Sequence, residues 1–312
     1  MSEKESVHGK TIVITGASSG IGRGAAVRLS DLGANVVVAA RRGQVLEQLA
    51  GEMAERGGIA VPVATDVSAA PDIARLTATA VDRFGRIDVW VNNVGIGALG
   101  PFWDVPVEAH ARVIDVNVNG LLYGAHAALR RFLAQGSGVL INVGSVESEL
   151  PLAYQSSYAA SKAAVLSLSR TLNEELRLAG VSETIKVGTI MPWAVDTPWW
   201  DHAANYTGHA PRMAAMDDPG IVVDAIVAAC TDPKEEHPVG GKARVANISH
   251  RIFPDLTERL SAKTVDAERQ RGFPRLHTQG SIFAPTEAGT AVEGGVRDRM
   301  KREDAARART RS

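Results

Sequence analysis

The sequence predicts an α/β fold built on a doubly wound parallel sheet, in a single domain with a C-terminal helical and irregular extension. Short β-branched segments alternate with helical patterns along the first two thirds of the chain, which is typical of parallel strands joined by helical crossovers. A glycine-rich turn directly follows the first strand, and small or polar residues follow several of the others. We expect the domain to span residues 1–250 and the extension residues 251–312.

Composition excludes several classes of protein. The 312 residues are 45% hydrophobic and 22% charged, with a net charge of −1, so nothing favours a nucleic-acid or anionic-membrane partner. No apolar run approaches the ~18 residues of a membrane span, and residues 1–10 lack the apolar core of a signal peptide. The single cysteine, Cys230, excludes an internal disulfide. We expect a cytoplasmic protein with no integral membrane segment and no metal site.

The first strand, Lys10–Thr15, leads directly into a glycine-rich turn and a helical pattern that continues to Leu32. This order is typical of a dinucleotide or phosphate cradle, because residues without Cβ let the backbone approach and a helix N-terminus supplies free N–H groups. The turn lacks the Gly-Lys-Ser/Thr of a P-loop and the G-x-G-x-x-G spacing. The alternative is an ordinary strand–helix loop. As a cradle, its cofactor contacts are Gly16, Ser18, Ser19, Gly20, Ile21 and Gly22.

Two arginines follow the second strand, Asn35–Ala40, where a reader of the ribose 2′-hydroxyl is ordinarily Asp or Glu. Arg41 and Arg42 suit a 2′-phosphate instead, because a guanidinium stays charged and presents fixed donors to phosphate oxygens. We therefore predict NADP(H) in preference to NAD(H), with Arg23 reinforcing the same phosphate. The alternative is that one arginine merely caps a surface helix.

The third and fourth strands, Ala60–Ala64 and Ile87–Val91, also end in polar or small residues. The Asp66 carboxylate suits either an adenine amino group or the N-terminus of the helix expected near Pro71. In open sheets of this kind, ligands lie in the crevice at the carboxyl ends of the strands. The predicted cofactor contacts therefore include Asp66, Val67, Asn93, Val94 and Gly95.

One long helix is predicted from Pro106 to Gln135, although it contains Asn117 and Asn119. Asparagine is a poor residue for a helix interior, so its presence needs a reason. Asn117 either holds a water behind Lys162 and extends a proton path, or makes a polar kink satisfied by its own backbone.

A proton-transfer group is predicted in the stretch Ser145–Lys162, which follows a buried fifth strand, Gly138–Val143. If a helix begins near Ser157, Tyr158 and Lys162 project from one face. A cation nearby lowers the phenol's pKa of about 10 by roughly 1 to 3 units, which makes Tyr158 a usable general acid or base. The Ser145 hydroxyl is suited to hold the oxygen that exchanges this proton. The alternative is a chance pair on a solvated helix.

Taken together, these motifs resemble the short-chain dehydrogenase/reductase (SDR) family over roughly residues 9–246. The motifs are Thr15-Gly16-x-x-x-Gly20-x-Gly22, Asn92-Asn93-x-Gly95, Asn117, Ser145, Tyr158-x-x-x-Lys162 and, after a sixth strand at Thr184–Ile190, Pro192 with Thr197. The resemblance implies a Rossmann-type sheet, a nicotinamide cofactor and a homodimer or homotetramer in which the helices carrying Asn117 and Tyr158 pack against their copies.

The resemblance also implies a catalytic tetrad of Asn117, Ser145, Tyr158 and Lys162. Ser145 would orient the substrate oxygen, Tyr158 would transfer the proton, and Lys162 would bind the nicotinamide ribose and tune Tyr158. Asn117 would position a relay water. The further cofactor contacts that it implies are Tyr158, Lys162, Pro192, Val195 and Thr197.

Two residues depart from the family pattern. Val94 replaces an alanine, and Trp193 replaces a glycine, so we expect Trp193 to narrow the nicotinamide pocket or to roof the substrate site. Glu147 and Glu149 are expected to flank the site entrance and to discourage anionic substrates unless they point to solvent. The expected substrate lid holds Trp199, Trp200, Tyr206, Met213 and Met216, which indicate either an apolar ligand or packing of the lid or subunit interface.

Beyond about residue 250 the family pattern ends. His250–Arg271 is predicted to be one amphipathic helix whose apolar stripe is Ile252, Phe253, Leu256 and Leu260. Residues 274–295 are rich in Gly, Pro and Thr and are predicted to be irregular. Residues 296–312 hold seven Lys and Arg against three acids and are predicted to be a basic, flexible tail, either a solvated, frayed helix or a segment that binds nucleic acid or membrane phosphates.

The sequence therefore predicts an NADP(H)-dependent ketoreductase acting on a carbonyl or secondary alcohol of a small hydrophobic substrate. The alternative function is a catalytically idle NADP(H)-binding scaffold or sensor whose tail recruits a partner. Acyl hydrolysis by Ser145 is disfavoured, because no histidine in the stretch would activate it.

Overall fold

Parallel strands form the centre of the protein, whose computed structural model describes residues 7–311. In chain order the strands within these residues are β1 (Thr11–Thr15), β2 (Asn35–Ala40), β3 (Ile59–Ala64), β4 (Val89–Asn92), β5 (Ala98–Leu99), β6 (Gly138–Val143), β7 (Ile185–Pro192), β8 (Ala204–Asn205) and β9 (Glu236–Val239). Seven of these described strands form one parallel sheet in the order β3-β2-β1-β4-β6-β7-β9, and β5 pairs with β8.

Helices join the strands and form the C-terminal region. They are α1 (Gly20–Asp31), α2 (Gly43–Glu55), α3 (Ala70–Phe84), α4 (Val107–Ile114), α5 (Gly120–Gln135), α6 (Ser156–Leu178), α7 (Trp199–His202), α8 (Pro219–Ala229), α9 (Gly240–Ile252), α10 (Pro254–Arg271) and α11 (Val296–Arg311). A π-helical segment, Asp115–Asn119, joins α4 to α5, and a single 3-10 turn, Val146–Ser148, precedes α6. No helix within residues 7–311 combines the length and apolar character required to cross a bilayer.

Two hydrophobic cores lie on opposite faces of the sheet. Ile12 and Val36 contribute to the core beneath α1, α2 and α8, whereas Val13 and Val37 contribute to the core beneath α3, α5 and α6. This alternation follows from the two-residue period of a strand. Because helices cover both faces, the central strands are apolar throughout, and the predicted doubly wound Rossmann-type fold is confirmed.

The chain reverses its direction of sheet growth between β1 and β4. Strands β2 and β3 are added on one side of β1, and β4 pairs on its other side, with Ile12 opposite both Val36 and Val89. A crevice opens at the carboxyl ends of strands where such a reversal occurs. The glycine turn after β1 and Asn93 after β4 meet at this point.

The predicted long helix is present, with one irregularity. It runs from Val107 to Gln135, and the π-helical turn Asp115–Asn119 interrupts it where the two asparagines lie. π-helical turns are rare and concentrate at functional sites.

The prediction of one helix over His250–Arg271 is wrong. Phe253 separates α9 from α10, because Pro254 has no N–H to continue the helix and instead begins the next one. The expected stripe is also wrong, since Ile252, Phe253, Leu256 and Leu260 are all more than half exposed.

The basic C-terminal residues form a helix, one of the two forms that the sequence predicts for them, but this helix is anchored to the rest of the protein. They form α11, and the buried Arg212 guanidinium donates to Glu268 on α10 at 2.8 Å, to Glu303 on α11 at 2.9 Å and to Asp304 at 3.0 Å. Between α10 and α11, residues 272–295 form no helix or strand, as expected.

Candidate active site

A tight turn after β1 forms one end of the crevice. Gly16 and Gly20 have φ of +70° and +57°, and a Cβ at Gly22 would lie 2.4 Å from the Gly16 carbonyl oxygen, so a side chain there would clash. The Asn93 amide donates to the carbonyls of Thr15 at 3.1 Å and Gly16 at 3.3 Å. This backbone fits a dinucleotide cradle, because it allows the close approach that such a ligand requires.

A cleft of about 1020 Å³ extends from this turn along the carboxyl ends of the strands. Most of the predicted cofactor residues line it: Gly16, Ser18, Ser19, Gly20, Ile21, Arg41, Arg42, Asp66, Val67, Asn93, Val94, Gly95 and Thr197. An adjoining cavity of about 740 Å³ is lined by Ser145, Tyr158, Lys162, Pro192 and Val195. The two spaces share Ile21, Asn93, Gly95, Thr197 and Trp199, so they lie next to each other. Gly22 packs against Gly16 and Asn93, and Asn117 is hydrogen-bonded to Ile96, so both residues contact the lining of the cleft.

Arg41 and Arg42 bind the C-terminal segment 281–291. Arg41 Nη2 donates to the Ser281 carbonyl at 2.6 Å, and Arg42 Nη1 donates to the carbonyls of Ala288 at 3.0 Å and Thr286 at 3.2 Å. Burial lowers the pKa of both guanidiniums. Their partners here are neutral oxygens, and within the described residues neither arginine is paired with a carboxylate, so no ion pair neutralises their charge.

The same C-terminal segment reaches the glycine turn. Gly20 N donates to the Ala291 carbonyl at 2.9 Å, so one of the N–H groups expected to be free at the start of α1 already has a partner. Ser281, Pro285 and Thr286 line the cleft. Sequence reasoning missed these residues, because an irregular segment some 240 positions from Arg41 carries no local signal of where it packs.

Two other polar residues near the cleft, Arg23 and Asp66, have partners within the protein that the sequence does not predict. Arg23 pairs with Glu52 on α2. The expectation that Asp66 is the N-cap of α3 is wrong, since Ala69 holds that position. The Asp66 carboxylate instead accepts from Ser68 and from Arg112 Nη2 at 2.9 Å. Burial alone would raise the pKa of Asp66, but these hydrogen bonds outweigh it and lower the pKa.

Tyr158 and Lys162 lie one turn apart on α6 and face the inner cavity. Lys162 Nζ donates to the Val143 carbonyl at 2.7 Å and lies 5.6 Å from the centre of the Tyr158 ring. A Cβ at Gly95 would lie 3.2 Å from Lys162 Nζ, so the ammonium is also next to the cofactor cleft. Ser145 Oγ accepts from the Glu147 N–H at 3.1 Å, which fixes the hydroxyl at the end of β6.

Burial dominates the protonation of this pair. Burial raises the pKa of Tyr158, as does the nearby Glu147, whereas a hydrogen bond with Ser145 acts in the opposite direction. Burial lowers the pKa of Lys162 to about 8, although Glu147 opposes this. The expected lowering of the Tyr158 pKa by Lys162 is therefore wrong, since the cost of a buried phenolate is larger. At neutral pH the phenol is protonated and most of the lysine is charged.

Of the two expected roles of Asn117, the polar kink satisfied by its own backbone is wrong, and the relay water behind Lys162 stays a prediction. Its Nδ2 donates to the Ile96 carbonyl and to Ser161 Oγ, both at 2.9 Å, and its Oδ1 accepts from the Ile96 N–H at 2.9 Å. The side chain thus joins the π-helical turn to α6 and to the chain after β4. Its partners are not its own backbone, and its role in this structure is to hold the helix that carries Lys162.

Aromatic residues close the inner cavity. Trp193 lines the cavity and donates from Nε1 to the Ala214 carbonyl at 3.2 Å. Trp199 lies 5.1 Å from Tyr158 between ring centres. Trp200 and Met213 line the same space, whereas Tyr206 packs against His277. Packing within the protein is thus observed for Tyr206, whereas an apolar ligand for the residues that line the cavity stays a prediction.

The two glutamates differ in position. Glu149 pairs with Arg170 and Arg251 at the surface, whereas Glu147 is buried within the cavity beside Tyr158 and Lys162. The prediction that Glu147 flanks the entrance is wrong, because the 3-10 turn directs it inward. Among the described residues no cluster of potential metal ligands is present.

Known proteins share this architecture. Residues 10–206 match the family described as short chain dehydrogenase. The uncharacterized oxidoreductase YxnA of Bacillus subtilis is 37% identical over 257 residues, which cover 81% of this chain and 72% of that protein.

Solved structures agree. A short chain dehydrogenase/reductase from Burkholderia phymatum in complex with NAD is 26% identical, with a TM-score of 0.70 over 80% of this chain and 96% of that one. An alcohol dehydrogenase from Thermococcus sibiricus complexed with 5-hydroxy-NADP is 27% identical, with a TM-score of 0.63 over 73% and 94%.

Proposed function

This chain belongs to the short-chain dehydrogenase family, and from that premise we propose that it is an NADP(H)-dependent oxidoreductase of a hydrophobic ketone or secondary alcohol. The observation that carries this proposal is the cavity in which Ser145, Tyr158 and Lys162 meet. It adjoins the cleft that begins at the glycine turn, so a reacting carbonyl and a nicotinamide ring have neighbouring spaces.

The proposed residue roles follow from their protonation. The cofactor supplies or accepts the hydride. The Ser145 hydroxyl donates a hydrogen bond to the substrate carbonyl oxygen, and Tyr158 Oη gives that oxygen a proton as it becomes an alcohol. The Tyr158 phenol carries its proton at neutral pH, because burial raises its pKa, so a proton is present for carbonyl reduction. Lys162 stabilises the phenolate that remains and is positioned to hold the ribose. In this proposal Asn117 fixes the turn behind Lys162.

The proposed preference for NADP(H) is supported by Arg41 and Arg42. Both line the cleft and lack a carboxylate partner among the described residues, whereas Asp or Glu would repel a 2′-phosphate. The relatives do not decide the question, because one is in complex with NAD and another with 5-hydroxy-NADP. Residues 281–291 form the outer wall of this proposed site.

Side-by-side titration with NADPH and NADH, followed by cofactor fluorescence, tests the cofactor assignment. We expect NADPH to bind at least tenfold more tightly, which corresponds to about 1.4 kcal/mol. Tighter binding of NADH would contradict the role of the arginines, and failure to bind either would contradict the function as a whole.

We also propose that the substrate is hydrophobic and that the protein is a cytoplasmic homodimer or homotetramer. Trp193, Trp199 and Met213 give the inner cavity an aromatic and apolar lining. Leu122, Tyr123 and Leu133 are exposed on α5 and are suited to a face between copies. Light scattering measures the mass directly: we expect a dimer or tetramer, and a monomer at micromolar concentration would contradict the assembly.

A further inference from the structure

Glu147 is a buried acid inside the proposed catalytic cavity. It lies on the 3-10 turn Val146–Ser148, is 5% exposed, and lines the same space as Ser145 and Tyr158. The turn is held by Ser145 Oγ and by Ser148 Oγ, which accepts from the Ser145 N–H at 3.2 Å. The position of Glu147 is thus fixed relative to the proposed reacting hydroxyls.

The carboxyl group of Glu147 is only half satisfied. The Leu152 N–H is directed at it, but Oε2 has no hydrogen-bond partner. No lysine or arginine within the described residues forms an ion pair with it, in contrast to Glu149 with its two arginines. A buried polar atom without a partner costs free energy, so an acid here needs a partner that enters the cavity.

Burial favours the protonated form of Glu147, whereas the nearby Lys162 acts in the opposite direction. Lys162 and Tyr158 face the same cavity, and Lys162 Nζ is bound to the Val143 carbonyl. Burial raises the pKa of Glu147 well above its ordinary value, although the Leu152 hydrogen bond and Lys162 oppose this. A neutral carboxyl group both donates and accepts a hydrogen bond, so it suits an uncharged hydroxyl or carbonyl oxygen and disfavours a carboxylate.

We propose that Glu147 determines substrate specificity by binding a second, uncharged oxygen function of the substrate while Ser145 and Tyr158 engage the reacting carbonyl. The substrate class is therefore a hydrophobic hydroxyketone or diketone rather than a simple ketone. This inference rests on the proposed oxidoreductase function. It adds a polar contact to a cavity whose other walls are aromatic or apolar at Trp193, Trp199 and Met213.

The test compares cyclohexanone with 2-, 3- and 4-hydroxycyclohexanone as substrates in the presence of NADPH. For the wild type we expect kcat/KM for the best hydroxyketone to exceed that for cyclohexanone at least tenfold. Glu147→Leu should abolish this preference, measured as the ratio of kcat/KM for the hydroxyketone to kcat/KM for cyclohexanone in the same variant, and KM for the hydroxyketone should rise more than KM for cyclohexanone. Glu147→Gln should retain most of the preference, because the amide also donates and accepts. Glu149→Leu is the matched control and should keep the full preference.

The outcomes separate the two proposals. If the wild type shows no preference, or Glu147→Leu retains it, Glu147 has no role in specificity although the oxidoreductase function stands. If a compound binds but is not reduced, its dissociation constant is measured by tryptophan fluorescence in the presence of NADPH. The preference is then the ratio of the dissociation constants for cyclohexanone and the hydroxyketone. No preference in the wild type, or an unchanged preference in Glu147→Leu, would again contradict the proposal. Absence of binding by all four compounds would also overturn the specificity proposal, whereas the function is judged by cofactor binding and the Tyr158 variant.

Discussion

Three buried ionisable residues, Glu147, Tyr158 and Lys162, share the inner cavity, and burial is the largest influence on the pKa of each. Tyr158 keeps its proton because a buried phenolate is costly, and Lys162 has a pKa of about 8 because a buried ammonium is costly too. The lysine is therefore the group that titrates near physiological pH. Its charge, rather than that of the tyrosine, should set the alkaline limit of activity.

The first prediction concerns this pH dependence. A cation with a lowered pKa loses its charge as pH rises through that value, so kcat/KM for carbonyl reduction should fall above about pH 8, by about tenfold per pH unit. Initial rates from pH 6 to 10 measure the profile. Lys162→Arg should move the decline to higher pH, since a guanidinium stays charged. An unchanged alkaline limb in that variant would show that another group titrates.

The second prediction concerns Arg41 and Arg42, which bind carbonyls of residues 281–289 and are proposed to bind the 2′-phosphate of the cofactor. Replacing both with alanine should weaken NADPH binding at least tenfold and NADH binding less than threefold, because only NADPH carries the 2′-phosphate. It should also speed amide hydrogen exchange in residues 281–289, whose carbonyls these arginines bind. Fluorescence titration and exchange mass spectrometry measure the two effects. Arg56→Ala is the control, since Arg56 pairs with Asp31 at the surface. Equal loss for both cofactors would contradict the phosphate assignment.

At the scale of elements, the C-terminal region is attached to the sheet domain at several places. Residues 281–291 contact the cofactor cleft, and α11 is anchored by Arg212. The Asp196 carboxylate, at the end of β7, also accepts from the Val296 N–H at 2.8 Å and from Arg297 Nε at 3.0 Å. Residues 281–295, which precede α11, are therefore held across the cleft, where they can affect the rate of cofactor exchange.

The third prediction tests the Arg212 anchor. Removing this guanidinium leaves the Glu303 carboxylate buried without its partner, so Arg212→Ala should destabilise the C-terminal region by about 3–5 kcal/mol. We expect limited proteolysis to cut first between residues 272 and 311 and cofactor release to become faster. Arg302→Ala, an exposed change on the same helix, should behave like the wild type. If the sheet domain and α11 of Arg212→Ala unfold in one step, with no earlier proteolytic cut in residues 272–311, the C-terminal region is not anchored separately and the prediction is contradicted.

At the scale of the whole molecule, the sequence predicts the features that depend on local hydrophobic periodicity and on the geometry of a parallel sheet. Strand and helix order follow from the apolar pattern, and the meeting of the glycine turn with Asn93 follows from the reversal between β1 and β4. The same rule brings Ser145 next to Tyr158. These residues are predictable because parallel strands end at one edge.

Other features depend on contacts that no local pattern specifies. The C-terminal segment meets Arg41 across some 240 positions. The inward direction of Glu147 depends on a single 3-10 turn, and the burial of Arg212 depends on two helices of the extension. Pro254 indicates a helix break at Phe253, but the apolar residues on both sides of it favour one continuous amphipathic helix.

The central claim is hydride transfer to a carbonyl with Tyr158 as the proton donor. Its most direct test is the transfer of deuterium from C4-labelled NADPH to a ketone, followed by mass spectrometry of the product alcohol, for the wild type and for Tyr158→Phe. We predict labelled alcohol from the wild type, and transfer reduced at least a thousandfold in Tyr158→Phe, with NADPH affinity within about threefold. Tyr123→Phe, an exposed change on α5, should match the wild type. Undiminished labelling by Tyr158→Phe would contradict the account.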